Sequence, residues 1–454
     1  MLYRILVKYR TYMLVVICFA CKKQQNNSVN YAEHIAPILL ENCISCHQNG
    51  GTAPFELLTY KQAFRKKKTI ARVTKSRYMP PWPANRNYSH FVGEKFLTQN
   101  QISMIQKWVN HGAPAGNLKT ISQPLRVPQR LDKPKPDLVI TTDSIKIHGN
   151  NRDTFFIIKL PFELPNDTFL RSIEFVAGEH NLVHHMNGHL LSYQDQKKKS
   201  VFNGEKKITT QTDAFYEDFI AMDLFNDDGS KPKRIHSAVN YLPGVEHHFY
   251  PNGIGGAYIK KKNVLVFNDI HFGPIPKDLW DQSIVKFYFT DKAPSRPTRE
   301  IMMGTNGVTP IKPSLQIPPD TIMKFTSQAI VPEDMSILTI NPHMHLLGKS
   351  FRAFCMLPNG DTLPLIDIPR WDFRWQYFYT FKKMQKVPKG SIIKLEAYFD
   401  NTSENKWNPF DPPQWIGERI EKGGASMRTT DEMLQFIITW MPYLEGDEEI
   451  SLLP

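Results

Sequence analysis

From residue 137 onward, apolar residues alternate with polar ones or fall in short runs between Gly, Pro and Asn breaks. The segments 138–147, 154–161, 170–177, 183–193, 263–271 and 284–290 form one set. A second set is 321–330, 336–341, 350–357, 376–381, 391–400 and 434–440. Period-two alternation predicts half-buried strands, and many short strands with little helix predict antiparallel sandwiches. The stretch has room for two, covering 137–315 and 316–454 with a break near 310–319. Residues 30–117 have another texture. Apolar positions lie on one face of 32–40, 59–74 continues helically, and 98–111 places Ile102, Ile105, Trp108 and Val109 together. That pattern predicts a small all-α domain. Residues 118–136 hold four prolines and few large apolar side chains, and read as a linker.

Composition narrows the class. The chain has 454 residues, room for two to four domains, and its 41% hydrophobic share excludes a disordered chain. The net charge of +12 sits in short lysine runs such as 66–68 and 197–199, with no stacking aromatics between them. Such runs are solvated loop faces and do not suit nucleic-acid binding. Residues 1–20 combine Arg4, Lys8 and Arg10 with an apolar run, 13–20, too short to span a bilayer, which is an export-signal pattern. Ala20-Cys21 followed by polar residues resembles a bacterial lipoprotein signal, with Cys21 lipidated and 21–29 as a tether. Cleavage nearby with plain secretion is the alternative. Both place the protein in the periplasm or on the cell surface, and the first ties it to a membrane.

Cysteine spacing adds chemistry. Cys43-Ile-Ser-Cys46-His47 has the CxxCH pattern that attaches haem c: two thiols bond the porphyrin vinyls and the adjacent histidine ligates iron. A chance pair or a zinc half-site is the alternative reading. Met79, in a loop stiffened by Pro80, Pro81 and Pro83, is the candidate sixth ligand, with Met104 its competitor. The block with CISCH, MPPW and WVNHGAP resembles the cytochrome c domains of bacterial multidomain proteins. It implies a small all-α cytochrome c domain over 30–117. Of five cysteines, only Cys355 is left, and it reads as a buried thiol.

The strand region holds a second ligand set. His343 and His345 are two apart in NPHMHLLGK, so in a strand they share a face and make half a metal site. His184 and His185 are adjacent, and share a metal only at a bulge or strand end. His271 ends an apolar run and Met433 precedes one. Imidazole with thioether suits copper moving between Cu(I) and Cu(II), whereas zinc has no need of the methionine. His247-His248 reads as a loop pair. His180, His189 and His236 are either supporting groups or surface residues, and Met186 reads as packing.

The order HHM, IHF, PHMHLLGK, DEM, with WDFRWQ and EAYFDNTSENKWNP between, resembles the copper type II, ascorbate-dependent monooxygenases of the peptidylglycine- and dopamine-hydroxylating kind. The resemblance covers most of 137–443 and implies two jelly-roll-like sandwiches, each holding one copper, across an open cleft. It assigns His184, His185 and His271 to the first copper, which delivers an electron. His343, His345 and Met433 go to the second, where O2 meets the substrate C–H. Three positions depart from the peptide-amidating branch: Asn341 replaces an arginine, Gln435 an asparagine and Ile437 a tyrosine. These departures argue against a glycine-extended peptide substrate. The expectation is therefore an exported monooxygenase with two coppers and one haem c. Its partners would be O2, an unidentified organic substrate and an external electron donor. The alternative is a non-catalytic electron-transfer or copper-binding lipoprotein.

Overall fold

The structure is a computed structural model. It describes residues 29–453 apart from 123, 126–133, 210–214, 244, 246, 248, 422–423 and 426–427. The export segment, Cys21 and His248 lie outside the described residues. The chain forms two compact units.

The first unit comprises the chain up to Ile44, Leu57–Tyr78 and Leu97–Val127. Its helices are α1 (Ala36–Asn42), continuing a turn at Tyr31–Ile35, then α2 (Tyr60–Lys75) and α3 (Gln99–Asn110). Thr59 and Thr98 open α2 and α3 with capping boxes to Gln62 and Gln101. Each box satisfies backbone N–H groups that the first helical turn leaves unpaired. Tyr31, Leu39, Ile105 and Trp108 are buried, and the Trp108 indole donates to Pro114 O at 3.0 Å.

The second unit comprises Ser45–Glu56, Met79–Phe96 and Pro128–Pro454. Its first nine main strands are β1 (Leu138–Thr141), β2 (Thr154–Glu163), β3 (Thr168–Val176), β4 (Val183–Tyr193), β5 (Lys207–Thr209), β6 (Lys233–Tyr241), β7 (Ala257–Ile259), β8 (Lys262–Phe272) and β9 (Ile284–Thr290). They form a four-stranded sheet, β1-β9-β3-β7, and a five-stranded sheet, β5-β2-β8-β4-β6. Both sheets contribute to one core, with Phe175, Leu190, Phe267 and Phe287 in it.

The next eight strands are β10 (Arg299–Gly304), β11 (Ile322–Ile330), β12 (Met335–Met344), β13 (Gly348–Met356), β14 (Thr362–Ile368), β15 (Tyr379–Val387), β16 (Ile392–Asp400) and β17 (Leu434–Pro442). They form the sheets β10-β17-β12-β15 and β11-β16-β13-β14, which share a second core. β12 is buried along almost its whole length because both its faces are covered. Ile337 and Ile340 enter the core between the sheets, while Leu338 packs with Met384, Met441 and Leu452 on the other side. Cys355 is a fully buried thiol and Met186 a fully buried core side chain.

The expected architecture, a small all-α cytochrome c domain ahead of two jelly-roll-like sandwiches, is overturned. Strand makes up 38% of the chain and helix 13%, in several antiparallel sheets, and the helical region is short with no clear all-α cytochrome domain. The physical reason lies in two segments of this region that join the β-rich unit, the second of them rich in aromatic residues. Ser45–Glu56 and Met79–Phe96 belong to the β-rich unit. Phe91 is fully buried against Tyr379 and Phe381, each ring pair 5.0 Å apart. Trp82 packs on Tyr377 and Tyr379. The N–H groups of Asn85 and Val92 donate to Asp367 O and Thr380 O at 2.7 Å. Burying these rings in a sheet core outweighs any local preference for an independent helical domain. No described helix is long and apolar enough to cross a membrane.

Candidate metal centre

β4 and β8 are neighbours, and their register sets His185 opposite His271. The register slips by one residue between Val183 and His185. That slip is a bulge at His184, and it lets two adjacent histidines serve one side. The ligating nitrogens of His184, His185 and His271 all lie within 4.8 Å of one another.

Partners on the far nitrogens decide where the lone pairs point. His185 Nε2 bonds Asp269 Oδ2 at 2.8 Å, and His271 Nε2 bonds Asp153 Oδ1 at 2.7 Å. An ionised carboxylate only accepts, so both rings carry their proton on Nε2 and leave Nδ1 bare. The two bare nitrogens face each other at 3.4 Å, and the Nδ1 of His184 is buried with no hydrogen-bond partner. Converging lone pairs repel unless a cation sits between them. Two nitrogens each about 2.0 Å from one tetrahedral ion would be about 3.3 Å apart, so the cluster fits a metal. Phe155 stacks on the His271 ring at 4.2 Å and 11°. Burial, then the neighbouring His271 and His185 rings, push His184 down to about 4. Burial also lowers His271, against the bond to Asp153. Burial opposes ionisation of Asp269, but the close interaction with His185, including its hydrogen bond, prevails and the carboxyl titrates below the usual range.

The second cluster is on the other pair of sheets. His343 lies in β12 opposite Gln435 of β17, and Met344 lies opposite Leu434. His345 and Met433 follow and precede these strands, and both line the same cavity. His345 Nδ1 bonds Asp431 O at 2.8 Å, and a carbonyl only accepts, so Nε2 is bare. His343 Nδ1 bonds Gln376 Oε1, whose amide is itself oriented by a 2.8 Å bond from Nε2 to Phe373 O. The His343 and His345 rings are 5.0 Å apart and nearly perpendicular, and Met433 is buried. Burial, then His345, pushes His343 down to about 3. Beneath the loop, Glu432 accepts from Leu347 N at 2.7 Å, His345 N at 3.0 Å and Met433 N at 3.3 Å. Burial pushes this carboxyl up to about 8, against those three bonds. Two bare imidazole nitrogens beside a buried thioether also fit a soft cation.

The clusters share a cavity. His185 and Asp269 of the first, and His343, His345 and Met433 of the second, line one cleft of about 630 Å³. Phe373, from the WDFRWQ stretch, stands between them, its ring 6.5 Å from His185 and 5.8 Å from His345, edge-on to both.

Sequence reasoning missed the groups that aim the histidines. Asp269 is two residues from His271 in one strand, and Asp153 is two from Phe155, which pairs with His271. Same-face spacing was the available signal for both. Gln376, the Asp431 carbonyl and Glu432 depend on the loop path and left none. His189 and His236 line the cleft and do not join the three-histidine cluster. His247 lies outside the strands and its ring bonds the Ser172 hydroxyl at 3.0 Å.

Of the haem candidates, Cys43 belongs to the first unit, at the end of α1, and Cys46, His47 and Met79 to the second. Neither Cys43 nor Cys46 is in a disulfide. His47 Nδ1 bonds Phe55 O at 2.8 Å, which puts the ring proton on Nδ1 and leaves the lone pair on Nε2.

No family model matches the chain, and no curated protein matches it. Among solved structures, similarity is found to the VP2 subviral particle of infectious bursal disease virus, at 9% identity over 70% of this chain and 75% of that one, with a TM-score of 0.17. The Gx strain of the same virus is similar at 9% identity over 71% and 76%, with a TM-score of 0.16. At such scores the likeness carries no argument.

Proposed function

We propose that this chain is an exported copper-dependent monooxygenase. It would insert one atom of O2 into a substrate C–H bond and release the other as water, consuming two electrons and two protons. Copper held by His184, His185 and His271 at one centre, and by His343, His345 and Met433 at the other, would supply one-electron redox chemistry and O2 activation. The observation that carries this reading is the pairing of the two clusters. Each presents bare imidazole nitrogens, and residues of both line one cleft large enough for a small organic molecule.

The chain's own groups have definable tasks. Asp269, Asp153, Gln376 and the Asp431 carbonyl hold four imidazoles in the tautomer that can ligate. Glu432 fixes the turn that carries His345 and Met433. Phe155 and Phe373 pack against the rings of His271, His185 and His345 and would help hold their orientation. The CISCH motif and the bare Nε2 of His47 support one haem c, with Met79 as sixth ligand, as the entry point for electrons. Lipidation at Cys21 would tether the protein outside the cytoplasm.

The test is oxygen uptake by copper-loaded protein with a chemical reductant, with and without candidate substrates. Uptake should depend on copper and vanish in Met433→Ile. Full uptake by that variant would remove the second cluster from the chemistry. Two bound coppers without any uptake would favour the copper-binding lipoprotein.

A further inference from the structure

The cleft holds charges that the oxygenase reading leaves unused. Arg234 of β6 is the one lysine or arginine among the described residues that line it. Its Nη2 makes a single hydrogen bond, to His189 Nδ1 at 3.2 Å. No described carboxylate lies within 4.0 Å of its guanidinium. Arg234 is solvent-exposed along the cleft wall, as a group that meets an incoming ligand must be. Guanidinium offers five N–H donors in a planar fork, a geometry that matches oxyanions. Apart from that bond, no donor of Arg234 has a partner among the described residues, and the cleft it lines is also lined by His185, His343, His345 and Met433.

Nearby groups do not replace it. Asn341, Gln435 and Ile437 line the same cavity. The Asn341 amide donates to Tyr377 O at 3.0 Å, and the Gln435 amide to Thr305 O at 2.8 Å. Ile437 has no polar atom. Glu300 of β10, another cleft residue, interacts electrostatically with Arg234 without forming an ion pair and accepts from the Ser237 side chain.

We propose that Arg234 is an oxyanion-binding subsite of the cleft, which grips a carboxylate or phosphate on the substrate and so selects and orients it. This rests on the reading of the cleft as a monooxygenase site. The guanidinium fork matches either oxyanion bidentately. The grip would lie on the β4–β6 side of the cleft, on the pair of sheets that holds the three-histidine cluster. Glu300 tempers the positive field there.

The experiment is calorimetric titration of the metal-free full chain with benzoate, phenyl phosphate and benzyl alcohol. At least one anion should bind saturably, and whichever binds tighter identifies the favoured oxyanion. Arg234→Gln should weaken it by about tenfold or more, as expected for a lost charge-assisted bond, with Arg234→Lys recovering part of the affinity. Glu300→Gln should tighten it about threefold by removing a like charge. Benzyl alcohol should be indifferent to all three changes. Absence of saturable binding by both anions, or equal anion affinity in the wild type, Arg234→Gln and Glu300→Gln, overturns the proposal. The titration needs neither copper nor turnover. Anion binding that persists in a protein without oxygen uptake would sink the oxygenase reading and leave the subsite standing.

Discussion

The two histidine clusters use the same side chain in different settings. In the three-histidine cluster, two rings lean on carboxylates, Asp269 and Asp153, and the third has a buried nitrogen with no partner. In the other, the rings lean on neutral acceptors, Gln376 and the Asp431 carbonyl, beside a thioether. Carboxylate backing raises ligand basicity and compensates a second positive charge. Neutral backing with sulfur favours the softer, singly charged ion. The comparison teaches that histidine count alone does not set what a site prefers. If both clusters take copper as proposed, the atoms behind the rings would divide the labour, favouring Cu(II) at the first cluster and Cu(I) at the second.

The largest expected effect comes from removing the sulfur. Met433→Ile should abolish reductant-driven oxygen uptake while one copper per chain remains, because the three-histidine cluster is untouched. An oxygen electrode and metal analysis on one preparation check this. Next is Glu432→Ala, which leaves three backbone N–H groups unpaired in a buried turn. It should cost about 3–5 kcal/mol in urea unfolding and loosen only the second cluster. A loss confined to the first cluster would break the comparison. Asp269→Asn removes the negative backing of His185, and its copper affinity should fall about 10–100-fold. Gln376→Ala, which removes a neutral partner, should cost less at the other site, and competition titration with a chelator measures both.

The smallest effect sets the baseline for acid stability. Asp447 is opposed by burial, but bonds from Arg296, Ser336 and Leu444 N hold its carboxyl at about 2, below its ordinary 3.8. Its folded pKa is depressed, so the stabilisation is present above the unfolded value and is lost as pH falls from about 4 through 2. The amount is about 2 kcal/mol, and Asp447→Asn should flatten that part of a stability–pH curve.

Legibility followed the range of the forces involved. Alternation marked 154–161, 263–271 and 434–440, and these lie within β2, β8 and β17, because side-chain period is local to a strand. The condition on His184 and His185 was readable too, since one regular strand cannot aim both one way, and a bulge is found there. β6 and β10 escaped notice. Lys233–Tyr241 carries polar residues toward the cleft and Arg299–Gly304 is short, so neither shows a clean apolar period. Arg234 and Glu300 were missed with them. The helical expectation over 30–117 failed for a tertiary reason. Nothing local to Trp82 or Phe91 shows that their rings pack against Tyr379, nearly three hundred residues away.

The central claim is that two independent clusters each hold one copper beside a common cleft. Metal analysis of the purified full chain, compared with His185→Ala and His343→Ala, tests it most directly. The account predicts two coppers per chain in the wild type and one in each variant, with the carboxylate-backed site retained in His343→Ala. Fewer than two coppers in the wild type, or a single substitution that empties both sites, would contradict it.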